Sequence, residues 1–471
     1  MIFLLMSAAL VAGMAALRAR RGAAAALAGG WFAALFGTPT WLVMNLGSLE
    51  LDARAVAGAV GLGMLFLDRP ALPNFRWSLL DVAALGLFFA VTLSMYHAGE
   101  IRPLTIPNVA KTWLLPYAVG RLFFAVPEDL DRVASMLGKA LLAIALLSWF
   151  ESAFKFNPTC RLLGKSFSVL EAGEGYRWGI KRAQGNLIHP IFFGNLLALA
   201  LPWCFASALG ATPRWRRALP WIVGAAIVGT ASRGAIGAAA ATYVVVGFFH
   251  FPRWRRSLAV AVLVAGAGAY GAKHALLDAV GRMADQAEEE PKLIDIHGEE
   301  CEYTGTAHRM LLFKAYGPHL ANVGWLGYGF AMKAVRLEEE LALRFGSIDS
   351  HYVLFLLQFG WLGTGLFLAL AAGSVAALGV RAWRPGGRAS ELAGGLCGAM
   401  FAVTVSLNSV WFAPDFGVGW LFAAGLAANL RRLPDQPSED APPVVSAVVP
   451  HWGLRLHHGA APVPNHERSM P

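Results

Sequence analysis

Apolar runs of roughly 17–25 residues follow one another along this chain, and each is long enough to cross a hydrocarbon core about 30 Å thick. They fall near 1–17, 23–47, 53–67, 78–96, 107–125, 133–150, 186–210, 218–231, 234–250, 257–275, 351–380, 390–410 and 413–430. The count is twelve or thirteen, because the first two runs and the 218–250 region can be divided in more than one way. A backbone in lipid must satisfy its own hydrogen bonds, so such runs can only be helices or closed barrels, and their length selects helices. Composition agrees, with 15% of residues charged against about 25% in soluble domains. The expected fold is therefore all-α and polytopic, with a transmembrane domain over 1–432. The first run ends at Arg18, Arg20 and Arg21 without a small-residue cleavage site, which reads as a membrane helix and not a signal peptide.

The formal charge of +9 sits in short clusters beside the apolar runs. Alternate connections carry Arg18/Arg20/Arg21, Arg69/Arg76, Arg132, Arg214/Arg216/Arg217, Arg253/Arg255/Arg256, Arg381/Arg384/Arg388 and Arg431/Arg432. The positive-inside rule makes that common side cytoplasmic. Such a distribution is a topology signal, so no nucleic-acid partner is expected. The remaining connections face outward, including loops at about 151–185 and 276–350. The second of these is a large polar insert expected to contain short helices. From Leu433 to the last residue the sequence is rich in Pro and polar residues without periodicity, and 433–471 reads as a disordered cytoplasmic tail. Cys204 and Cys397 lie in apolar runs and suit packing. Cys160 and Cys301 lie in outward loops, where an oxidising compartment permits a disulfide if their Cα atoms come within about 7 Å.

Four stretches could carry chemistry. The first runs from Arg177 to Gly194, with Lys181, Arg182, Gln184 and Gly185 before His189-Pro190. A basic cluster at a helix N-terminus suits an anionic head group, and equally suits interfacial anchors that snorkel. The second is Thr230-Ala231-Ser232-Arg233-Gly234. Arg233 stands between two apolar runs, away from the basic clusters, where an ionisable group marks function; the plainer reading is a hairpin with Arg233 in solvent. Gly234 is expected to provide the sharp turn. Third comes Arg309 after Thr306-Ala307-His308, with Gly324, Trp325, Gly327, Tyr328 and Gly329 downstream. Residues 309–320 have the periodicity of an amphipathic helix lying on the membrane surface, on which Arg309 either acts or simply faces solvent. The fourth is Gly346-Ser347-Ile348-Asp349-Ser350-His351-Tyr352. Asp349 and His351 could each serve as a general base, while Asp349 or Ser350 could cap the following helix.

No Gly-Lys-Ser/Thr phosphate loop, paired CxxC or HExxH occurs, and Glu288-Glu289-Glu290 lacks the spacing of a calcium loop. No metal or nucleotide cofactor is implied, and a donor substrate would already reside in the membrane. Over about residues 100–430 the chain resembles the bacterial O-antigen ligase and polysaccharide polymerase superfamily. Arg182-Ala183-Gln184-Gly185 with His189-Pro190 and Gly194 is similar to the opening of that family's central helix. Thr230 with Ser232-Arg233-Gly234 is similar to its Thr-x-Ser-Arg-Gly turn, and Arg309 with Gly327-Tyr328-Gly329 to its large-loop signature. The ligase motif is His, then Asn, Ser or Gln, then nine residues and Gly-x-x-Gly. Counted back from Gly360 and Gly363, Ser350 fills its second position and Asp349 its first, with His351 two residues late. The pattern Ile348-Asp349-x-x-Tyr352 is more similar to the exopolysaccharide-polymerase branch, which the resemblance favours over the ligases.

The resemblance implies a metal-independent glycosyltransferase in the bacterial inner membrane, working on the periplasmic face. Its donor would be a glycan on a polyprenyl (undecaprenyl) diphosphate, its acceptor a glycan or lipid-linked glycan, and a chain-length regulator of the same pathway a further partner. Arg182, Arg233 and Arg309 would clamp the diphosphate, as guanidinium forks match phosphate oxygens. Asp349 would be the base that orients or deprotonates the acceptor hydroxyl, with His351 the second choice. Two alternatives remain: an O-antigen ligase delivering a finished glycan to lipid A-core, and a transporter or flippase.

Overall fold

The computed structural model describes residues 1–68, 76–124, 126–163, 175–272, 292–303, 307–384, 387–412 and 414–433. Each apolar run is a helix. In chain order they are α1 (Ile2–Arg21), α2 (Ala23–Phe32, prolonged by a π turn over Ala33–Gly37), α3 (Ala53–Asp68) and α4 (Leu79–His97). Next comes α5, made of Thr105–Val109, a π turn Ala110–Leu114 and Leu115–Arg121, followed by α6 (Pro127–Phe154), α7 (Pro190–Ala208) and α8 (Arg214–Gly229). The remainder are α9 (Arg233–His250), α10 (Arg255–Gly271), α11 (His351–Trp383), α12 (Gly387–Ser406) and α13 (Pro414–Leu430). The chain is thus an all-α polytopic membrane protein. Among the described residues six helices are long and apolar enough to cross a membrane, fewer than the twelve or thirteen spans expected. The shortfall is one of length. At 16 residues, α3 and α8 rise only about 24 Å; α5 is broken into three pieces, and α9 and α10 meet at a 110° bend at Pro252. From 434 onward the expected tail lies outside the described residues.

Helix α7 is apolar all round its circumference, as a helix at the centre of a bundle must be. It is buried along nearly its whole length against α6, α8, α9, α12 and α13. At its middle Trp203 packs edge-on to Phe32 and Phe123, with ring centroids 5.6 and 6.0 Å apart.

The arginine clusters gather at one end of the bundle. Arg388 reaches Asp131 at 2.7 Å and the carbonyls of Ala206 and Leu209. Arg432 donates to the Trp77 carbonyl, and Arg18 pairs with Asp68. Asp81 and Arg121, which fall in the apolar runs 78–96 and 107–125, form a buried pair at this end, 2.8 Å apart, where Asp81 also closes a capping box with Ser78. The opposite end carries the loops and is called here the insert end. On it, the antiparallel hairpin β1 (Met44–Leu46) and β2 (Leu49–Leu51) is tied to the 98–104 connection through Ser48 and the Pro103 carbonyl. The cysteines remain thiols. Lys314 Nζ donates to Cys301 Sγ at 3.0 Å and Gln184 Nε2 to Cys160 Sγ at 3.4 Å, so the disulfide that the loops permit is not formed.

The insert has a core of its own. Hairpin β5 (Lys292–Ile296) and β6 (Glu299–Tyr303) contributes Ile294 and Ile296; short helices follow over His308–Ala315, Gly317–Ala321 and Glu339–Phe345. Leu312, Ala315, Tyr316, Leu341, Phe345 and Ile348 bury together with Val353 and Leu357 of α11. The stretch 309–320 is two short helices that turn Leu312, Ala315 and Tyr316 into this core and leave Met310 and Phe313 exposed.

Between Leu357 and the rest of α11 the helix is interrupted at Gly360 (φ 63°, ψ −166°). The 324–329 loop fills the break with backbone hydrogen bonds. Tyr328 and Gly329 N–H donate to the Leu357 and Gln358 carbonyls at 2.7 and 3.0 Å. In return, Trp361 and Leu362 N–H donate to the Gly324 and Trp325 carbonyls at 3.2 and 3.1 Å. These bonds satisfy groups that a helix break would otherwise leave bare. Only glycines permit the approach: a Cβ on Gly327 would lie 2.6 Å from Gly360 N, and one on Gly360 would lie 2.4 Å from Trp325 O.

Candidate active site at the insert end

The Thr230–Arg233 turn between α8 and α9 is the hub. Its left-handed residue is Ala231 (φ 46°), not Gly234. Gly234 lies within α9, where its lack of a side chain lets Ser406 approach; an added Cβ would stand 3.3 Å from Ser406 Cβ. A non-glycine residue at positive φ is uncommon, and such strain concentrates at functional sites. Thr230 is fully buried, its hydroxyl donating to the Ile227 carbonyl at 2.7 Å. Gly194 of α7 packs directly under it, since an added Cβ would sit 2.7 Å from Thr230 Oγ1.

A second segment, about fifty residues earlier, docks on this turn. Strands β3 (Tyr176–Arg177) and β4 (Ile180–Lys181) form a small hairpin held by three bonds. Ala183 N–H donates to the Gly229 carbonyl at 3.1 Å, Arg182 Nε to the Thr230 carbonyl at 3.0 Å and Arg177 Nη1 to the Ala231 carbonyl at 2.9 Å. Behind it, the buried Glu151 accepts from Gly185 N–H at 3.0 Å and from Asn157 Nδ2 at 3.1 Å, which fixes the loop that carries Arg182.

At the end of this loop His189 caps α7, its Nδ1 accepting the Ile191 N–H at 3.1 Å. Burial, aided by the charges of Arg182 and Arg177, pushes the imidazole down to about 4. It is therefore neutral near pH 7, and with Nδ1 occupied as an acceptor its proton resides on Nε2.

The insert brings up the other face. Arg309 lies on the helix His308–Ala315, and its guanidinium is held below its usual proton affinity by burial. Asp349 opposes that effect and Arg233 adds to it, so both charges stand within electrostatic reach of Arg309. The Arg309 Nε is buried without a protein acceptor, an expense that a structure ordinarily avoids. His308, whose Nδ1 lies 3.1 Å from the Tyr303 hydroxyl, is also lowered by burial; Asp349 opposes and Arg309 reinforces this shift.

Asp349 is half-buried and accepts from Ser347 Oγ at 3.1 Å. Ser350 stands at the N-cap of α11 but its side chain makes no capping bond. His351 is 2% exposed, enclosed by the rings of Phe355, Phe367 and Phe412 at centroid distances of 4.8, 4.8 and 5.1 Å. Of the two candidate bases, the carboxylate is the one within electrostatic reach of Arg309.

Sequence reasoning left Arg177, His189, His308 and Glu100 without assigned roles. Glu100 takes the Phe330 and Ala331 N–H groups on its two carboxylate oxygens at 2.7 and 2.9 Å and so moors the insert to the α4–α5 connection. A lone acid after a membrane helix gave no sign of this. Among the described residues, no three His, Cys, Asp or Glu side chains gather as a metal-holding set.

The class these features define is a polytopic membrane protein with charged side chains set about one turn at the insert end of its helical bundle. Residues 218–368 match the family model described as O-antigen ligase, and the match supports the O-antigen ligase and polysaccharide polymerase superfamily, whose activity is membrane glycosyl transfer. That range contains Arg233, Arg309, Asp349 and His351, whereas Arg182 reaches the site from outside it. No curated protein matches the chain.

Proposed function

We propose that this protein transfers a glycan from a polyprenyl (undecaprenyl) diphosphate to a sugar hydroxyl of an acceptor on the periplasmic face of the bacterial inner membrane, lengthening exopolysaccharide or O-antigen chains. What supports the reading is that Arg182 bonds the Thr230 carbonyl of the turn that ends at Arg233, while Arg233 and Asp349 both lie within electrostatic reach of Arg309.

In this mechanism the acceptor oxygen attacks the anomeric carbon. The bond from that carbon to the diphosphate oxygen breaks, and the electron pair leaves with the diphosphate. Fixed guanidinium groups stabilise the charge that develops there, the kind of preorganised donor set whose members are each worth about 10²–10³ in rate. The acceptor proton passes to Asp349, a general-base contribution of about 10²–10⁴. The insert shields the reacting centre from water, which would otherwise hydrolyse the donor.

Asp349 at the first position of the closing motif favours polymerisation of repeat units over ligation to lipid A-core. The transporter alternative loses support because two of the charges within the spans, Asp81 and Arg121 (Lys111 and Lys139 being others), are paired as a cap at the arginine-rich end, away from a midplane site of the kind carriers use.

Arg233→Ala and Asp349→Ala are each expected to abolish chain elongation while membrane insertion is retained, and His351→Ala to keep measurable activity. Full activity in Asp349→Ala would remove the carboxylate from the mechanism. A strain lacking the protein should accumulate single carrier-linked repeat units; accumulation of long carrier-linked chains would instead identify a ligase.

A further inference from the structure

A groove of ≈ 450 Å³ lies beside Asp349, within the ~300–1,000 Å³ typical of small-molecule sites. Its lining includes Tyr316, Met332, Val335, Ser347, Ile348 and Trp411. The groove adjoins Asp349, because Ser347 lines it and donates its hydroxyl to that carboxylate. One wall is held rigidly at its base. Glu100 binds the Phe330 and Ala331 N–H groups, and Gln358 Nε2, beside the break in α11, donates to the Phe330 carbonyl at 3.0 Å. The opposite wall is Trp411, half-buried on the α12–α13 connection and braced edge-on by Phe192 at 5.5 Å.

The character of this lining selects its occupant. Aliphatic side chains, the Trp411 ring and the Ser347 hydroxyl share this lining, a mixture that suits a pyranose ring with its apolar CH faces and hydroxyl edges. A hydrocarbon chain is better served elsewhere: the ≈ 660 Å³ groove between α3 and α5, lined by such residues as Leu51, Val56, Val60, Leu114 and Leu115, is aliphatic throughout most of its length.

We propose that the groove between the 331–337 stretch and Trp411 is the acceptor subsite, seating the terminal pyranose of the acceptor glycan with its attacking hydroxyl toward Ser347 and Asp349. This assignment rests on the glycosyltransferase reading. The test uses the full chain in proteoliposomes with carrier-linked repeat units as donor. Free repeat-unit saccharide, released from the carrier by mild acid and so lacking any diphosphate, is the acceptor probe. Ala331→Trp, which adds a ring at an exposed position on the groove, should raise KM for the free saccharide about tenfold while kcat and the KM for donor change less than about twofold. Trp411→Leu should do the same by removing the stacking surface.

An unchanged saccharide KM in both variants overturns the assignment, and so does a rise confined to the donor KM, which would give the groove to the donor glycan. Arg233→Ala, run alongside, separates the two levels. If it elongates normally the glycosyltransferase reading itself fails; if it is inactive while both groove variants are silent, only the acceptor subsite is lost.

Discussion

At the scale of single residues, the candidate site is a few charged side chains held in place by main-chain contacts. Arg182, Arg233, Arg309 and Asp349 stand out because charge is scarce beside apolar runs. What residue types could not convey is how Arg182 is aimed: its neighbours Arg177 and Ala183 meet main-chain carbonyls in a distant turn. Nor could they show that Ala231, in place of the nearby glycine, takes the left-handed conformation. His189 offers a test at this scale. Its folded value is about 4 against an ordinary 6.5. Above 6.5 neither folded nor unfolded chain holds the proton, and stability is complete. Below it the unfolded chain binds a proton that the folded one refuses, so stability falls as the pH falls toward 4. Between pH 6.5 and 5 the loss from this one group is roughly 2 kcal/mol. His189→Gln, whose amide oxygen can still accept the Ile191 N–H, should reduce the drop in Tm over that interval for detergent-solubilised protein. An identical drop in wild type and variant would show that His189 is not the responsible group.

At the scale of elements, periodicity located the helices and missed the break in one of them. The run 351–380 is apolar without interruption, because both halves of α11 are buried, one in the insert core and one in the bundle. Gly360 and Gly363 were visible as a spaced pair, yet nothing near them in sequence indicates that Gly327 is the partner. The two contacting glycines predict a coupled energy. Gly327→Ala and Gly360→Ala should each destabilise the docked insert by about 1–3 kcal/mol or more, through steric overlap and the φ > 0 penalty. Limited proteolysis within 292–350 measures this directly. In the double variant the loss should be smaller than the sum, since both substitutions break one interface. Strict additivity would mean that the loop and the helix break are energetically independent.

For the whole molecule, the succession of apolar runs and the alternation of arginines contained nearly all of the architecture. Thirteen runs became thirteen helices, and the arginine-bearing connections that make mutual contacts do so at one end. Span length was less readable, because where a helix stops depends on caps, prolines and bends instead of hydropathy. The expected orientation makes a direct prediction. With Cys160 and Cys301 replaced by serine, a cysteine in place of the exposed Ser347 should react with a membrane-impermeant maleimide added to intact spheroplasts, whereas one in place of the exposed Arg253 should react only after the membrane is opened. The reverse pattern would put the arginine site on the cytoplasmic side and end the periplasmic reading.

The sharing of α11 between two cores also dictates an order of assembly. Val353 and Leu357 complete the packing of the insert, yet they follow it in the chain. As the polypeptide is made, the insert must wait, its packing unfinished and open to proteases or chaperones, until the residues of α11 have followed.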